Sequence, residues 1–425
     1  MLKLRPPPDP ECSVEIQCTD PLKPICGADQ TCHGCVLDDE CDSQVCRSDG
    51  SCEEAGNIVY ASPDGLSSGD CTADAPCVVN FARTLLDASR ATLRLANGTY
   101  VAVNDFVANG TAIAVVGGSS ASVTFERSGL ITPLFEARSG ATLSLRGFAL
   151  NEGVVSSGGS TVVITRLLFD HQSITVRPWI SGSGTIEVRD SELRDSNSDG
   201  INATGTLRVL RTTIDGSAGN GIRCSTTCEI SGSKIKNSIL IGVTSTGPLE
   251  VLRSEIAGNQ QGGIQQIGGS ATIVNNFVFR NGNDKNGKFG GIRVEPSNGS
   301  PARIEHNTIV FNDSDPFASP AFAGGLYCQN ATAPNNIIFS NAAGNNTMPN
   351  SQTGGVCGFN GSLIRNGDGT NELHFISPIA EPFDYHLADD QGPASNTGMS
   401  TTVTEDFDGD PRGSLPDIGA DEFRD

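Results

Sequence analysis

Between residues 143 and 338 the chain repeats a short pattern in which aliphatic residues alternate with polar ones. The segments LSLRGFAL (143–150), VITRLLF (163–169), EVRDSEL (187–193), RVLRTTI (208–214), EISGSKI (229–235), EVLRSEI (250–256), TIVNNFV (272–278), RIEHNTI (303–309) and APNNII (333–338) align. Their inward anchors are Leu145, Ile164, Val188, Val209, Ile230, Val251, Ile273, Ile304 and Ala333, spaced by 19, 24, 21, 21, 21, 22, 31 and 29 residues. A Gly followed by an aliphatic residue comes 12 residues after the anchor in Gly200-Ile201, Gly221-Ile222, Gly242-Val243 and Gly263-Ile264. The pair returns as Gly291-Ile292, Gly325-Leu326 and Gly355-Val356. Each unit therefore holds strands of period two between small polar turns, too short for a crossover helix and too regular for a sandwich. A coil that closes on itself and stacks is a parallel β-helix. The expected fold class is all-β, a right-handed parallel β-helix with an N-terminal capping helix, preceded by a small disulfide-rich module.

Two polar columns follow the anchors and point to the same stack. Three residues past the anchor stand Ser191, Thr212, Ser233, Ser254, Asn276, Asn307 and Asn336; eight past stand Ser196, Ser217, Ser238, Asn259, Asn281, Asn312 and Asn341. Like side chains at the turns of coils about 4.8 Å apart form hydrogen-bonded ladders, and Asn tolerates left-handed backbone. These columns are read as structural. An open stack leaves sheet edges that need cover. Val78, Val79, Phe81, Ala82, Leu85 and Leu86 have helical spacing and predict a lid over the first coil, while His374 to Leu387 and the acidic terminus are expected to close the other end. The expected divisions are 1–56 (cysteine-rich module), 57–91 (N-terminal cap), 92–372 (coils) and 373–425 (C-terminal cap).

Composition sharpens this picture. Fifty Gly, 22 Pro and 5% aromatic residues suit a turn-rich chain without long helices. The net charge of -21 argues against a nucleic-acid partner. Residues 1–56 hold 12 acidic and 4 basic residues and residues 381–425 hold 12 and 2, against 25 and 22 between them. The helix itself is nearly neutral, so an acidic ligand is not repelled from it. No run is apolar enough to span a membrane.

Eight of the 14 cysteines lie between Cys12 and Cys52. Their density and even number read as a disulfide module and an oxidising compartment, with the Cys32-His33-Gly34-Cys35 motif leaving metal as the rival reading. Of the others, Cys71 and Cys77, Cys224 and Cys228, and Cys328 and Cys357 are expected to pair.

Five further segments carry a family resemblance: IVYASPDG (58–65), CTADAPC (71–77), LRLANGTY (93–100), FDYHL (383–387) and DFDGDPRGSLPDIGADEF (406–423). Together they resemble bacterial surface proteins of the choice-of-anchor Q group, which carry a pectate-lyase-like right-handed β-helix. The cysteine-rich front resembles short modules of myxobacterial-type surface proteins. The resemblance implies the fold and an extracellular or outer-surface location, and no single reaction.

No complete catalytic set is legible. Asn197-Ser198-Asp199-Gly200-Ile201 is similar to the first motif of polygalacturonases, but the following coils lack the paired Asp and the Gly-His-Gly, so Asp199 reads as a turn residue. Arg177-Pro178 is similar to a pectate lyase fragment without its second Arg, and Arg177 reads as a surface residue. His171, His306, His374 and His386 read as turn or packing residues. The distance from anchor to Gly-aliphatic pair grows from 12 to 18, 21 and 22 in the last units, so loops 280–290, 312–324 and 341–354 project from one corner. Insertions at one corner of a solenoid usually build its binding face.

Beside those loops the outward column Asn202, Arg223, Thr244, Gln265, Arg293 and Tyr327 offers groups for a glycan. The candidate ligand-binding residues are Arg223, Gln265, Lys285, Lys288, Arg293, Asp313, Asp315 and Tyr327, with Lys285, Arg293 and Tyr327 as the catalytic candidates should the protein be an enzyme. The outward Glu187, Arg208, Glu229, Glu250 and Arg303 read as a charge ladder. Asp406, Asp408 and Asp410 suit Ca²⁺, although Pro411 and Asp417 stand where an EF-type loop wants Gly and Glu, and pairing of Arg412 with Asp417 or Asp421 is the rival account. No cofactor is required. The expected function is binding of a polysaccharide or cell-surface glycan, or adhesion; the alternative is a lyase or hydrolase of acidic polysaccharide, and the second alternative a structural protein that self-associates through the cysteine-rich module.

Overall fold

The computed structural model describes residues 11–424 apart from 14–15, 103–104, 127–132, 152–154, 171–176, 283–288, 298, 316–321, 344–351 and 368–370. Three parallel strands make each coil. In one of them, Thr206–Leu210 turns at Arg211 into Thr213–Asp215, and Ile222–Cys224 completes the circuit. Leu207, Val209, Ile214 and Ile222 point inward and are fully buried, whereas Arg208 between two of them points out. The alternation read from the sequence is therefore the inside-outside pleat of the strands. First and third strands join in a 22-stranded sheet, and second strands form a separate sheet of 12. The fold is a parallel β-helix, and among the described residues it has one short α-helix, Val79–Ala82, beside the first coils. Val79 and Ala82 are buried, and Phe81, Leu85 and Leu86 pack on the core.

The stack begins earlier than the repeat suggests. Ile58–Leu66 already pairs in parallel with Thr92–Leu95, and the anchor column runs from Val59 through Leu93 and Val115 to Leu145. Spacing there is irregular, and Phe106, Phe125, Phe135 and Phe148 fill the core with ring centroids 5.1–5.9 Å apart. At the far end the alignment of Gly355-Val356 with the earlier pairs fails. Thr353, two residues before Gly355, stands opposite Leu326, and a bulge between Gln329 and Ala331 shifts the register.

The first corner places non-glycine residues in the left-handed region, including Arg166, Asp190, Arg211, Arg253, Asn275, His306 and Asn335. That backbone costs about 1–2 kcal/mol per residue, and the buried ladders directly after it offset the cost. The backbone N–H of Ser254 donates to Asn276 Oδ1, that of Asn276 to Asn307, and that of Asn307 to Asn336, at 2.9–3.0 Å. At the second corner Asn259, Asn281, Asn312 and Asn341 repeat the arrangement. On the first face Arg208 pairs with Glu187 and Glu229 at 3.7 and 2.7 Å.

All 14 cysteines are paired within the chain. The front module is closed by Cys12–Cys26, Cys18–Cys32, Cys35–Cys46 and Cys41–Cys52, so Cys32 and Cys35 enter different bridges and hold no metal. Cys71–Cys77, Cys224–Cys228 and Cys328–Cys357 staple the helix. The module does not hang free. Its buried Asp38 carboxylate lies 2.6 Å from Arg146 and 3.1 Å from Arg166, Gln44 accepts from Arg94, and Val45 packs with Ile58 and Val116. Removing one partner of such a buried pair strands the opposite charges. Asp38→Ala is expected to loosen the module, seen as faster protease cleavage within residues 11–56; unchanged cleavage would show that the apolar contact alone docks it.

The C-terminal segment lies along the flank of the second sheet, whereas the sequence placed it over the last coil. Outward residues of that sheet, Phe277, Phe279, Val310, Ile337 and Phe339, form an apolar surface covered by Phe375, Tyr385, Leu387, Ile418 and Ala420. Bulky residues at positions that would otherwise face water are the reason. Arg412 fastens the segment. Its guanidinium is buried, lies 3.3 Å from Glu422 and donates to Asn275 and to the carbonyls of Asp417, Gly419, Ala420 and Asp421. The Asp417 and Asp421 contacts are thus to backbone oxygens, and the carboxylate partner is Glu422.

Candidate functional site

The third strands of the coils present one outward residue per coil in register. Asn202, Arg223, Thr244, Gln265, Arg293 and Tyr327 are successive Cα partners. A second outward column two residues on holds Ile267, Glu295 and Gln329. Period two along a strand puts both columns on one surface. Phe322, from the corner before Leu326–Thr332, folds over it.

These residues form a compact constellation at the last coils. The Arg293 guanidinium carbon lies over the Phe322 ring, 3.9 Å from its centroid, and its Nε donates to Glu295 at 2.7 Å. Tyr327 meets the same ring edge-on at 4.6 Å, and its hydroxyl accepts from Gln329 at 2.6 Å. Four polar groups are thereby held in fixed orientation around an aromatic ring. A guanidinium next to a phenol, a carboxylate and carboxamides can bind the carboxylate and hydroxyls of an acidic sugar.

The sequence-derived candidates divide on this surface. Gln265, Arg293 and Tyr327 stand on consecutive coils. Arg223 is four strands from Tyr327, about 19 Å at the usual strand spacing, and pairs with Asp199 at 3.0 Å. Asp199 is buried, and its other oxygen accepts from the Asn220 backbone and side chain, so it is a turn residue. Asp313 and Asp315 flank Ser314, whose hydroxyl donates to the Phe322 carbonyl and ties their loop to the site. Lys285, Lys288 and His171 lie outside the described residues, as do parts of all three loops. Arg177 is exposed. Glu295 and Gln329 were missed although period-two counting from Arg293 and Tyr327 reaches them; Phe322 follows no repeat and carries no sequence signal.

A second polar cluster sits on the C-terminal segment. Asp406, Asp408 and Asp410 do not converge there. Buried Asp406 accepts from the backbone N–H groups of Asp408, Asp410 and Glu422, Asp410 faces Arg424, and Asp408 turns to His386. His386, expected to be a packing residue, has Asp384 on one ring nitrogen and Asp408 near the other. Burial works against its proton, but the bond to Asp384 and the charges of Asp421, Asp384 and Asp408 raise its pKa overall.

No protein-family model and no curated protein sequence matches the chain. Solved structures do. The chain is similar to the pectate lyase Pel9A at 15% identity, over 86% of this chain and 96% of that one, with a TM-score of 0.40. It is also similar to the A-module of the mannuronan C-5 epimerase AlgE6 of Azotobacter vinelandii (13% identity, 66% and 91% of the two chains, TM-score 0.39). A rhamnogalacturonan lyase aligns at 12% identity over 76% and 91%, with a TM-score of 0.36. These likenesses concern the course of the backbone alone. Among the described residues, no helix is long and apolar enough to cross a membrane.

Proposed function

We propose that the face formed by the third strands binds an acidic polysaccharide of a cell surface or matrix, laid along the helix axis across Gln265, Arg293 and Tyr327. The observation that carries this reading is the Arg293 guanidinium seated on Phe322 beside Tyr327. A guanidinium stacked over an aromatic ring still offers N–H donors on its rim to a carboxylate, and aromatic rings suit the apolar faces of sugars. Seven disulfides fit an extracellular setting. With every cysteine paired within the chain, self-association through the cysteine-rich module, the second alternative, would be non-covalent.

Affinity electrophoresis in polygalacturonate, alginate and chondroitin sulfate, with a neutral glucan as control, tests the proposal. Retardation by a polyanion is expected, with Arg293→Ala weakening it about tenfold or more, the loss of about 1.4 kcal/mol. Equal retardation of the variant would sink this placement.

A second reading, β-elimination, is favoured by the register pairing of Arg293 with Tyr327. Elimination needs a cation to neutralise the uronate carboxylate and a base to take the C5 proton, after which the C4–O bond breaks, the C4–C5 double bond forms and the leaving oxygen is protonated. Arg293 would be the neutralising group and Tyr327 the proton-transfer group. Hydrolysis is less favoured because it needs two carboxylates across one sugar bond, and the constellation around Phe322 contributes one, Glu295. Ultraviolet absorbance of an unsaturated product decides between binding and cleavage, and Tyr327→Phe should abolish turnover while polymer affinity persists.

A further inference from the structure

His386, Asp408 and Asp421 come from three separate stretches of the C-terminal segment. His386 lies in the strand Asp384–Leu387, Asp408 in the turn between Asp406 and Asp410, and Asp421 near the chain end. One ligand atom from each lies within 4.8 Å of the other two. We propose that these three residues form a divalent-cation site of the zinc type that pins the C-terminal segment together.

The imidazole is set up as a metal ligand. Its Nδ1 is 2.6 Å from Asp384 Oδ1, which fixes the tautomer and leaves the Nε2 lone pair facing the cluster. Nε2 is buried and makes no hydrogen bond, although Asp408 Oδ2 is 3.2 Å away. A ligating histidine usually gives its second nitrogen to a carboxylate in this way. The ring of Phe277, on the second sheet, and that of Phe407, on the C-terminal segment itself, stand 4.7 and 5.7 Å from the imidazole.

The carboxylates are positioned as well. Asp421 is buried, with Oδ2 accepting the Leu387 N–H at 2.7 Å. Burial, ahead of repulsion from Asp406 and Asp408, pushes its carboxyl up to about 6. Asp406, consumed by three backbone N–H groups, shapes the turn that presents Asp408. Asp408 is the exposed member and leaves an open approach for an ion and a water ligand. One imidazole and two carboxylates suit Zn²⁺; Ca²⁺ prefers six to eight oxygens and would gain little from His386.

The cluster attracts positive charge, and the rival occupant is a proton on His386. Metal and proton are separated by calorimetry of the full chain after treatment with chelator, followed by titration with Zn²⁺. One bound Zn²⁺ per chain and a rise in Tm of several degrees are expected, with His386→Gln and Asp421→Asn losing the rise. Because Asp421→Asn could disturb folding, Co²⁺ added to the unaltered protein gives an independent readout: visible absorption bands of a low-coordinate site, displaced by Zn²⁺. Absence of stoichiometric Zn²⁺, an unchanged Tm and no Co²⁺ band would overturn the proposal and leave a protonated His386 in the cluster. A Zn²⁺-dependent Tm rise that persists in His386→Gln would overturn it too, by placing the ion elsewhere.

Discussion

Asn307→Ala is expected to lower the stability of the β-helix by about 3–5 kcal/mol, a very large loss for one small polar side chain. Asn307 is fully buried. Its Nδ2 donates to the carbonyls of Ile273 and Glu305 and to Asn336 Oδ1 at 2.8–3.0 Å, and its Oδ1 accepts from the backbone and side chain of Asn276. Alanine would leave a buried amide N–H and a buried carbonyl on neighbouring coils without partners, and neither can turn to water. Each unsatisfied group costs about 1–3 kcal/mol, and the cavity adds to it. Urea unfolding measures the loss. The control is Asn202→Ala on the outward column, expected to stay within about 0.5 kcal/mol. Equal losses at the two positions would mean that the ladder does not carry the stack.

His306→Asn is expected to remove a large part of the acid sensitivity of folding. His306 is fully buried at the first corner, with Nε2 near Thr401 and Asn335. Burial, followed by the charge of Arg412 and then Arg303, pushes its pKa down from 6.5 to about 3. The folded state therefore keeps His306 neutral while the unfolded chain takes up a proton. Stability is fully present above pH 6.5 and is lost as pH falls from there toward 3, by about 1.4 kcal/mol per pH unit from this one group. Asparagine has no such proton and accepts the left-handed backbone that His306 adopts, as Asn275 and Asn335 do at the same corner. Urea midpoints between pH 7 and 4 should fall steeply for the native chain and less steeply for the variant. Parallel slopes would assign acid sensitivity to the carboxylates instead.

The coils between residues 143 and 338 were legible because side-chain direction on a strand has period two and stacking repeats it every circuit. Val209 to Ile230 to Val251 is a spatial column that reads as a constant interval. The Asn ladders were legible for the same reason, since a buried amide must find its like one coil away. The coils before residue 140 were not. There Tyr100, Phe106 and Phe125 fill the interior by size and shape, which leaves no fixed interval. Arg293 and Tyr327 could be placed on a common face by counting, but Phe322 could not, because a corner loop owes its position to contacts rather than to strand geometry.

The flanking segments show the same division. Alternation and spacing along the chain determined the stacked coils, the identity of the inward and outward columns and the pairing of cysteines along the helix, since each is a consequence of local backbone geometry. Only the tertiary structure decided that Asp38 docks the module between Arg146 and Arg166, that the C-terminal segment lies on Phe277 and Phe339, and that His386 meets Asp408 and Asp421. Those contacts join residues whose separation in sequence carries no period; burial of exposed rings and pairing of distant charges select them, and both are settled only when the whole chain has folded.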